Sequence, residues 1–361
     1  MKKILILANF DVGLYKFRKE LIQEFLNQGN EVYISLPDGE LVRKLEEMGC
    51  RFINTLVDRR GINPKTDAKL MLLYRKMIKK LKPDMVITYT IKPNIYGGLM
   101  CRMLCVPYAV NITGLGTAFQ RESMVKKLVI FLYKIALKKA KVVFFENIGN
   151  KQTFLDLKIL KENQICVLNG AGVNLEEYSF CEYPLEKETR FLFIGRVMKE
   201  KGVDELFEAA ERIKMYRSDV FFDVVGSMED DYQIRIKNLV EKGIIEYHGY
   251  QKDVKPYIEQ SHCFVLPSYH EGMANTLLEA GAMGRPLITS KIHGCMEAVE
   301  EGKNGYLAET KNAESLLGQL EKFLGLSYEE RKEMGQASRE VVQERFDKTK
   351  VVGKTIREIE R

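Results

Sequence analysis

Short apolar runs alternate along the chain with stretches in which apolar residues recur every three or four positions. In the first half the runs fall at residues 4–8, 31–36, 51–57, 85–90, 108–113, 142–146 and 165–168. In the second half they fall at 191–194, 221–225, 245–247, 263–266, 286–289 and 306–308. Most are apolar on both faces, as strands of a covered parallel sheet are. Residues 16–28, 67–81, 203–214 and 275–283 carry helical spacing. Such alternation predicts a doubly wound α/β sheet, and it occurs twice. The expectation is two Rossmann-like domains facing across a cleft, with ligands at the carboxyl ends of the strands. The joint is expected in residues 174–189, where periodicity lapses and Pro184 falls.

Two lysine-rich helices change this picture. On a helical wheel of residues 67–82, Leu70, Met71, Tyr74, Met77, Ile78 and Leu81 share one face, and Arg75, Lys76, Lys79, Lys80 and Lys82 the other. Residues 124–140 set Lys126, Lys127, Lys134, Lys138 and Lys139 beside Leu128, Phe131, Leu132 and Ile135. The apolar faces are expected to pack on a sheet. The net charge of +6 is unevenly spread. Residues 1–180 hold 29 Lys and Arg against 17 Asp and Glu, and the rest holds 27 against 33. A basic half joined to an acidic one suggests that the first half meets an anionic surface, and we read the lysines as docking on an anionic membrane.

Composition excludes other classes. The 361 residues are 45% hydrophobic and 29% charged, an ordinary globular balance. Seven scattered cysteines with no CxxC argue against a disulfide framework and fit a reducing compartment. His262, Cys263, His293 and Cys295 lack the spacing of common zinc sites, so no metal is expected. The opening residues read as a buried strand rather than a signal peptide, and no apolar run is long enough for a membrane span. The expected place is the cytoplasm, peripheral on the inner face of the membrane.

The chemistry concentrates in Pro267-Ser-Tyr-His-Glu271-Gly272-Met273-Ala274-Asn275-Thr276-Leu-Leu-Glu279. A strand ends at Pro267, Gly272 permits a tight loop, and a helix is expected to start at Asn275 as its N-cap. Glu271 then sits in the loop and Glu279 one turn inside the helix. The helix N-terminus between them offers unpaired N–H groups suited to a diphosphate, and the carboxylates can accept hydrogen bonds from hydroxyls. A second element, Phe193-Ile-Gly-Arg196-Val-Met-Lys-Glu-Lys201-Gly202, is a strand, a glycine turn and a helix start.

Glu271, seven residues and Glu279, in the context Pro-Ser-x-x-Glu-Gly and Leu-Leu-Glu-Ala, resembles the signature of the retaining glycosyltransferases of family 4, which have the two-Rossmann-domain GT-B fold. The resemblance implies that Glu271 binds the hydroxyls of a donor hexose and Glu279 the ribose of its nucleotide. It implies that the backbone from Gly272 and Met273 through Ala274, Asn275 and Thr276 meets phosphate and sugar. Arg196 and Lys201 would grip the donor diphosphate and stabilise its charge as the sugar departs, which removes the need for a metal or other cofactor. Gly226, Tyr250 and Val254 would enclose the nucleobase, although ordinary strand-end packing explains them equally well on the residues alone. Gly13, in the loop after the first strand, would let ligands approach the backbone.

Thr90-Ile-Lys92-Pro-Asn94 and Asn111-Ile-Thr113, with Arg59-Arg60-Gly-Ile-Asn63, resemble the subgroup that builds capsule, O-antigen and lipid-linked oligosaccharides. Its acceptor is a saccharide on a polyprenyl diphosphate. Arg18, Arg59 and Lys92 are then candidates for that diphosphate, or surface cations, and Asn94, Asn111 and Thr113 lie at strand ends beside them. Many members of the family place a His where this chain has Asn111 and Thr113, so the donor-sugar contact of that His has no counterpart here. The resemblance implies an acceptor-binding, membrane-facing domain of residues 1–178 plus about 345–361, and a donor domain of 185–344.

The implied activity is transfer of a hexose or N-acetylhexosamine from a nucleotide sugar, expected to be a UDP sugar, to a lipid-linked saccharide. Two rivals remain at this stage: a UDP-sugar 2-epimerase of similar fold, and a non-enzymatic basic protein that binds membrane or nucleic acid. The first needs acid–base carboxylates and histidines around the sugar. The second leaves the Arg196, Lys201, Glu271 and Glu279 set unexplained, and nucleic acid is not expected as a partner.

Overall fold

The computed structural model describes residues 1–58, 63–116, 119, 123–185 and 188–361, and all of Asp230 but its side chain. Arg59 therefore lies outside the described residues. The described chain forms two compact units, Met1–Ala171 with Thr349–Arg361, and Gly172–Lys348.

The first unit is built on a parallel sheet of β1 (Lys3–Leu7), β2 (Glu31–Leu36), β3 (Arg51–Asn54), β4 (Met85–Tyr89), β5 (Tyr108–Ile112), β6 (Val142–Phe145) and β7 (Ile165–Val167), in the order β3-β2-β1-β4-β5-β6-β7. Leu5, Ile6, Leu7, Val86, Ile87, Ala109 and Val110 are fully buried, because helices cover both faces. Two apolar cores result, one on each face of the sheet. The chain returns at its end to complete one of them: helix Lys348–Glu360 contributes Val351, Ile356 and Ile359.

The second unit repeats the plan with β8 (Thr189–Ile194), β9 (Val220–Val225), β10 (Glu246–Gly249), β11 (Cys263–Leu266), β12 (Leu287–Ser290) and β13 (Gly305–Ala308), all parallel, in the order β10-β9-β8-β11-β12-β13. Both sheets are thus doubly wound, as the alternation of the chain predicts.

Local differences have local causes. The first helix runs Asp11–Asn27, so Gly13 lies in its first turn rather than in an open loop, and a Cβ there would meet the Phe10 ring at 2.5 Å. The apolar run at 51–57 forms strand only to Asn54. The joint expected at residues 174–189 belongs to the second unit, where buried Tyr183 donates to His262 O at 2.9 Å and Arg285 reaches Cys181 O and Glu182 O. On helix Pro64–Leu81 the expected apolar face is seated through Leu70, Tyr74, Met77 and Ile78. On helix Met124–Ala136 the expectation fails for two residues, because Leu128 and Phe131 stand exposed, beside exposed Met124.

Candidate active site

In the second unit the expected donor residues lie where the chain leaves the carboxyl ends of β8, β9, β10 and β11. The strand order reverses between β8 and β11, which makes this the topological switch point of the sheet, where doubly wound proteins bind ligands.

Beyond β8, a 3-10 turn at Lys199–Lys201 leads through Gly202 into helix Val203–Lys214. Gly202 is required: its φ is +69°, and a Cβ there would stand 1.9 Å from Pro267 O. That close approach presses the turn against the end of β11 and brings Lys201 to Glu271. Lys201 Nζ lies 2.5 Å from Glu271 Oε1, with side-chain exposures of 23% and 13%. Ser268, fully buried, donates its hydroxyl to the same oxygen at 2.8 Å. Arg196 lies just before that turn and is half exposed, in a looser contact with Glu229 at 3.4 Å.

The loop after β11 is held from several sides. Tyr269 N donates to Glu200 O at 2.9 Å, and Tyr269 Oη to Glu205 at 2.8 Å. Ala274 N donates to Gly294 O at 2.8 Å. Gly294 packs so closely that a Cβ would meet Gly272 O at 2.7 Å and Glu271 Cβ at 2.9 Å. Helix Asn275–Ala282 follows with Ala274, not Asn275, as its N-cap, and no side chain caps it. The expected cap fails because Asn275 has already entered the helix, and its Oδ1 is buried without a hydrogen-bond partner. Met273 and Ala274 are buried while Thr276 and Glu279 are part-exposed. An uncapped helix start that follows the loop of the Lys201–Glu271 pair and carries Glu279 can accept a diphosphate flanked by hydroxyl-bearing groups.

Glu279 accepts a hydrogen bond from Tyr178, whose phenol is pushed well up by burial and by that carboxylate. Gly226 follows β9, with its N–H on Gly249 O at 2.8 Å and its carbonyl on the Tyr247 hydroxyl at 2.8 Å. Tyr250 is 62% exposed just beyond, and Val254 is part-exposed. Sequence reasoning missed Ser268 and Tyr178. Ser268 had a signal, its place in the Pro-Ser-x-x-Glu run. Tyr178 had none, since it comes from the segment read as a joint.

In the first unit the expected acceptor residues are largely committed to internal partners. Arg18 Nη2 lies 2.5 Å from Glu146 Oε1, both about one-tenth exposed, and its guanidinium stacks on the Tyr89 ring at 5.1 Å. Lys92 Nζ lies 2.7 Å from Asp67 Oδ1, whose other oxygen accepts from Tyr96 Oη. Asn94, buried, accepts from Thr88 Oγ1 at 2.7 Å and donates to Asn111 O at 2.9 Å, while Asn111 Nδ2 donates to Thr88 O at 3.3 Å. These two asparagines cross-link β4 and β5, which answers their buried polar groups without a ligand. Thr113 is part-exposed beyond β5.

A further charged cluster lines a cavity of about 580 Å³ near the start of β8. There the ligating atoms of Asp223, Glu246 and His248 lie within 4.8 Å of one another. Arg190 donates to Asp223 at 3.1 Å and to Glu246 at 3.3 Å, so a guanidinium already answers both carboxylates. His262, weighed for zinc, instead accepts from Arg190 N at 3.2 Å through Nδ1, and burial lowers its pKa.

Known proteins resemble the chain in sequence and in fold. Residues 176–341 match the family described as Glycosyl transferases group 1, and residues 3–147 match Glycosyl transferase 4-like. A relative from Campylobacter jejuni, N,N'-diacetylbacillosaminyl-diphospho-undecaprenol alpha-1,3-N-acetylgalactosaminyltransferase, is 30% identical over 331 residues, 87% of each chain. The UDP-Gal:alpha-D-GlcNAc-diphosphoundecaprenol alpha-1,3-galactosyltransferase of Escherichia coli is 29% identical over 325 residues, 83% of this chain and 82% of that one. Among solved structures, Anabaena Alr3699/HepE in complex with UDP and glucose superposes with a TM-score of 0.80 at 15% identity, covering 99% of each chain. The chain belongs to the group 1, family 4-like glycosyltransferases, and it is a transferase of the GT-B fold. The relatives lie in the lipid-linked saccharide subgroup that the first-half motifs resemble.

Proposed function

We propose that the enzyme is a retaining glycosyltransferase that moves a hexose or N-acetylhexosamine from a UDP sugar to a saccharide carried on a polyprenyl diphosphate. The observation that carries the reading is the Lys201–Glu271–Ser268 cluster beside the uncapped start of helix Asn275–Ala282. The names of the Campylobacter and Escherichia relatives support the lipid-diphosphate acceptor, and the latter supports UDP.

In this reading Glu271 accepts hydrogen bonds from donor-sugar hydroxyls, and Glu279, oriented by Tyr178, accepts from the ribose. Arg196 and Lys201 meet the diphosphate, with the amides at Ala274–Thr276. The acceptor hydroxyl attacks from the face that the nucleotide leaves, and the departing phosphate oxygen takes its proton. No enzymic nucleophile is used. The fixed cations stabilise the leaving charge without a metal, and orientation supplies the rest.

The same proposal places the first unit on an anionic membrane from the cytoplasmic side. On helix Met124–Ala136 the exposed stripe is Met124, Lys127, Leu128, Phe131 and Lys134, with exposed Lys138 just beyond. Apolar side chains interleaved with lysines suit a headgroup boundary. No helix of the described residues is long and apolar enough to cross a membrane.

The test is a panel of UDP and GDP sugars offered with a lipid-diphosphate saccharide in detergent. Transfer from a UDP sugar with retention at the anomeric carbon is expected. Transfer from none, or consumption of the UDP sugar without any acceptor, would sink the reading.

A further inference from the structure

Three side-chain oxygens of residues at neighbouring strand ends in the first unit are buried with no hydrogen-bond partner: Asn9 Oδ1, Tyr89 Oη and Thr90 Oγ1. Asn9 lies just beyond β1, and Tyr89 and Thr90 end β4. Leu7 pairs with Thr88, so Asn9 and Thr90 stand at the same level past two neighbouring strands. From β1 the sheet proceeds to β2 on one side and to β4 on the other, so this is the switch point of the first sheet.

Two further features sit there. Thr90 holds a φ of +73°, a left-handed conformation that a β-branched residue rarely adopts. Helix Asp11–Asn27 begins beside it with Phe10 as an N-cap that offers no side-chain hydrogen bond. Orphaned buried polar atoms and a strained backbone each cost stability and persist where function requires them. Asn9 and Thr90 are themselves part-exposed, so both residues reach the surface at this strand end.

We propose that Asn9 and Thr90 form the subsite for the hydroxyl or amide groups of the acceptor saccharide, and that they set its specificity. The chemistry of the site selects a neutral ligand. Asn9 Oδ1 needs an O–H or N–H donor, and the Thr90 hydroxyl accepts and donates. Among the described residues, the nearby guanidinium of Arg18 is already answered by Glu146 and is not left over for a diphosphate. Sugar hydroxyls and an acylamino N–H fit the unfilled positions. This rests on the transferase reading above and names the part of the acceptor that the first sheet reads.

Calorimetric titration in detergent tests it with two probes, farnesyl diphosphate alone and farnesyl diphosphate bearing an N-acetylhexosamine. Wild type binds the sugar-bearing probe about tenfold more tightly, as a few satisfied polar groups allow. Thr90→Val loses most of that gap, Thr90→Ser keeps it, and Asn9→Ala narrows it. Affinity for the bare probe and for UDP stays the same in all three. The thermal midpoint of Thr90→Val does not fall, because no intramolecular hydrogen bond is removed. A gap unchanged in Thr90→Val, or no gap in wild type, overturns the assignment. A Thr90-dependent gap in an enzyme that transfers from no nucleotide sugar sinks the transferase reading and leaves the saccharide subsite standing.

Discussion

Lys201 Nζ and Glu271 Oε1 stand 2.5 Å apart across 70 residues of chain, and buried Ser268 donates to the same oxygen. The contact ties the glycine turn after β8 to the loop after β11. On the proposed reading it also holds the carboxylate in place before a donor arrives, so that no reorganisation is needed during reaction.

On the proposed reading, replacing Lys201 with Ala removes a cation from the leaving diphosphate, and it breaks the ion pair with Glu271. We expect kcat/KM to fall by roughly 10²- to 10³-fold, with UDP binding weakened. Glu271→Gln keeps UDP affinity within a few-fold but loses turnover on a similar scale. Steady-state kinetics alongside UDP titration separates the two. Full turnover in Glu271→Gln would remove Glu271 from the donor site.

Tyr178→Phe deletes the hydroxyl that donates to Glu279 and keeps the ring. If Tyr178 orients Glu279 toward the ribose, KM for the nucleotide sugar rises about three- to tenfold while kcat holds, the size of one hydrogen bond. A fall in kcat at constant KM would count against this role.

Arg18 belongs to an internal pair before it belongs to any ligand. Arg18→Ala leaves the Glu146 carboxylate, 10% exposed, without its guanidinium. A cost of about 3–5 kcal/mol is expected from breaking such a pair. Urea unfolding measures it. Unchanged stability with a raised acceptor KM would restore the diphosphate role read from the sequence.

Burial lowers the pKa of His262 below its ordinary 6.5 in the folded chain. The unfolded chain then binds the proton more readily. His262 contributes its stability above about pH 6.5, and the contribution is lost as pH falls from there through the lower folded value. The urea midpoint of wild type should therefore decline from pH 7 to 5 more steeply than that of His262→Gln, which can still accept from Arg190 N. Parallel pH profiles would exclude His262 as a source.

The sequence by itself determined the repeated strand–helix alternation, the doubly wound sheets, and the run from Pro267 to Glu279 with Arg196 and Lys201. These are properties of short stretches: apolar period, glycine turns and motif spacing are all local. The tertiary structure decided which charges are available. Arg18 meets Glu146 across 128 residues only because helix Asp11–Asn27 and the end of β6 serve one sheet. Lys92 meets Asp67, and Asn94 is consumed by Thr88 and Asn111, for the same kind of reason. Tyr178 reaches Glu279 from a segment without periodicity, and Leu128 and Phe131 turn outward on a helix whose spacing fits burial equally well. Hydropathy states that a side chain is apolar or charged. Only the packing of distant elements states what faces it, and that pairing decides whether a cation or an amide remains for a ligand.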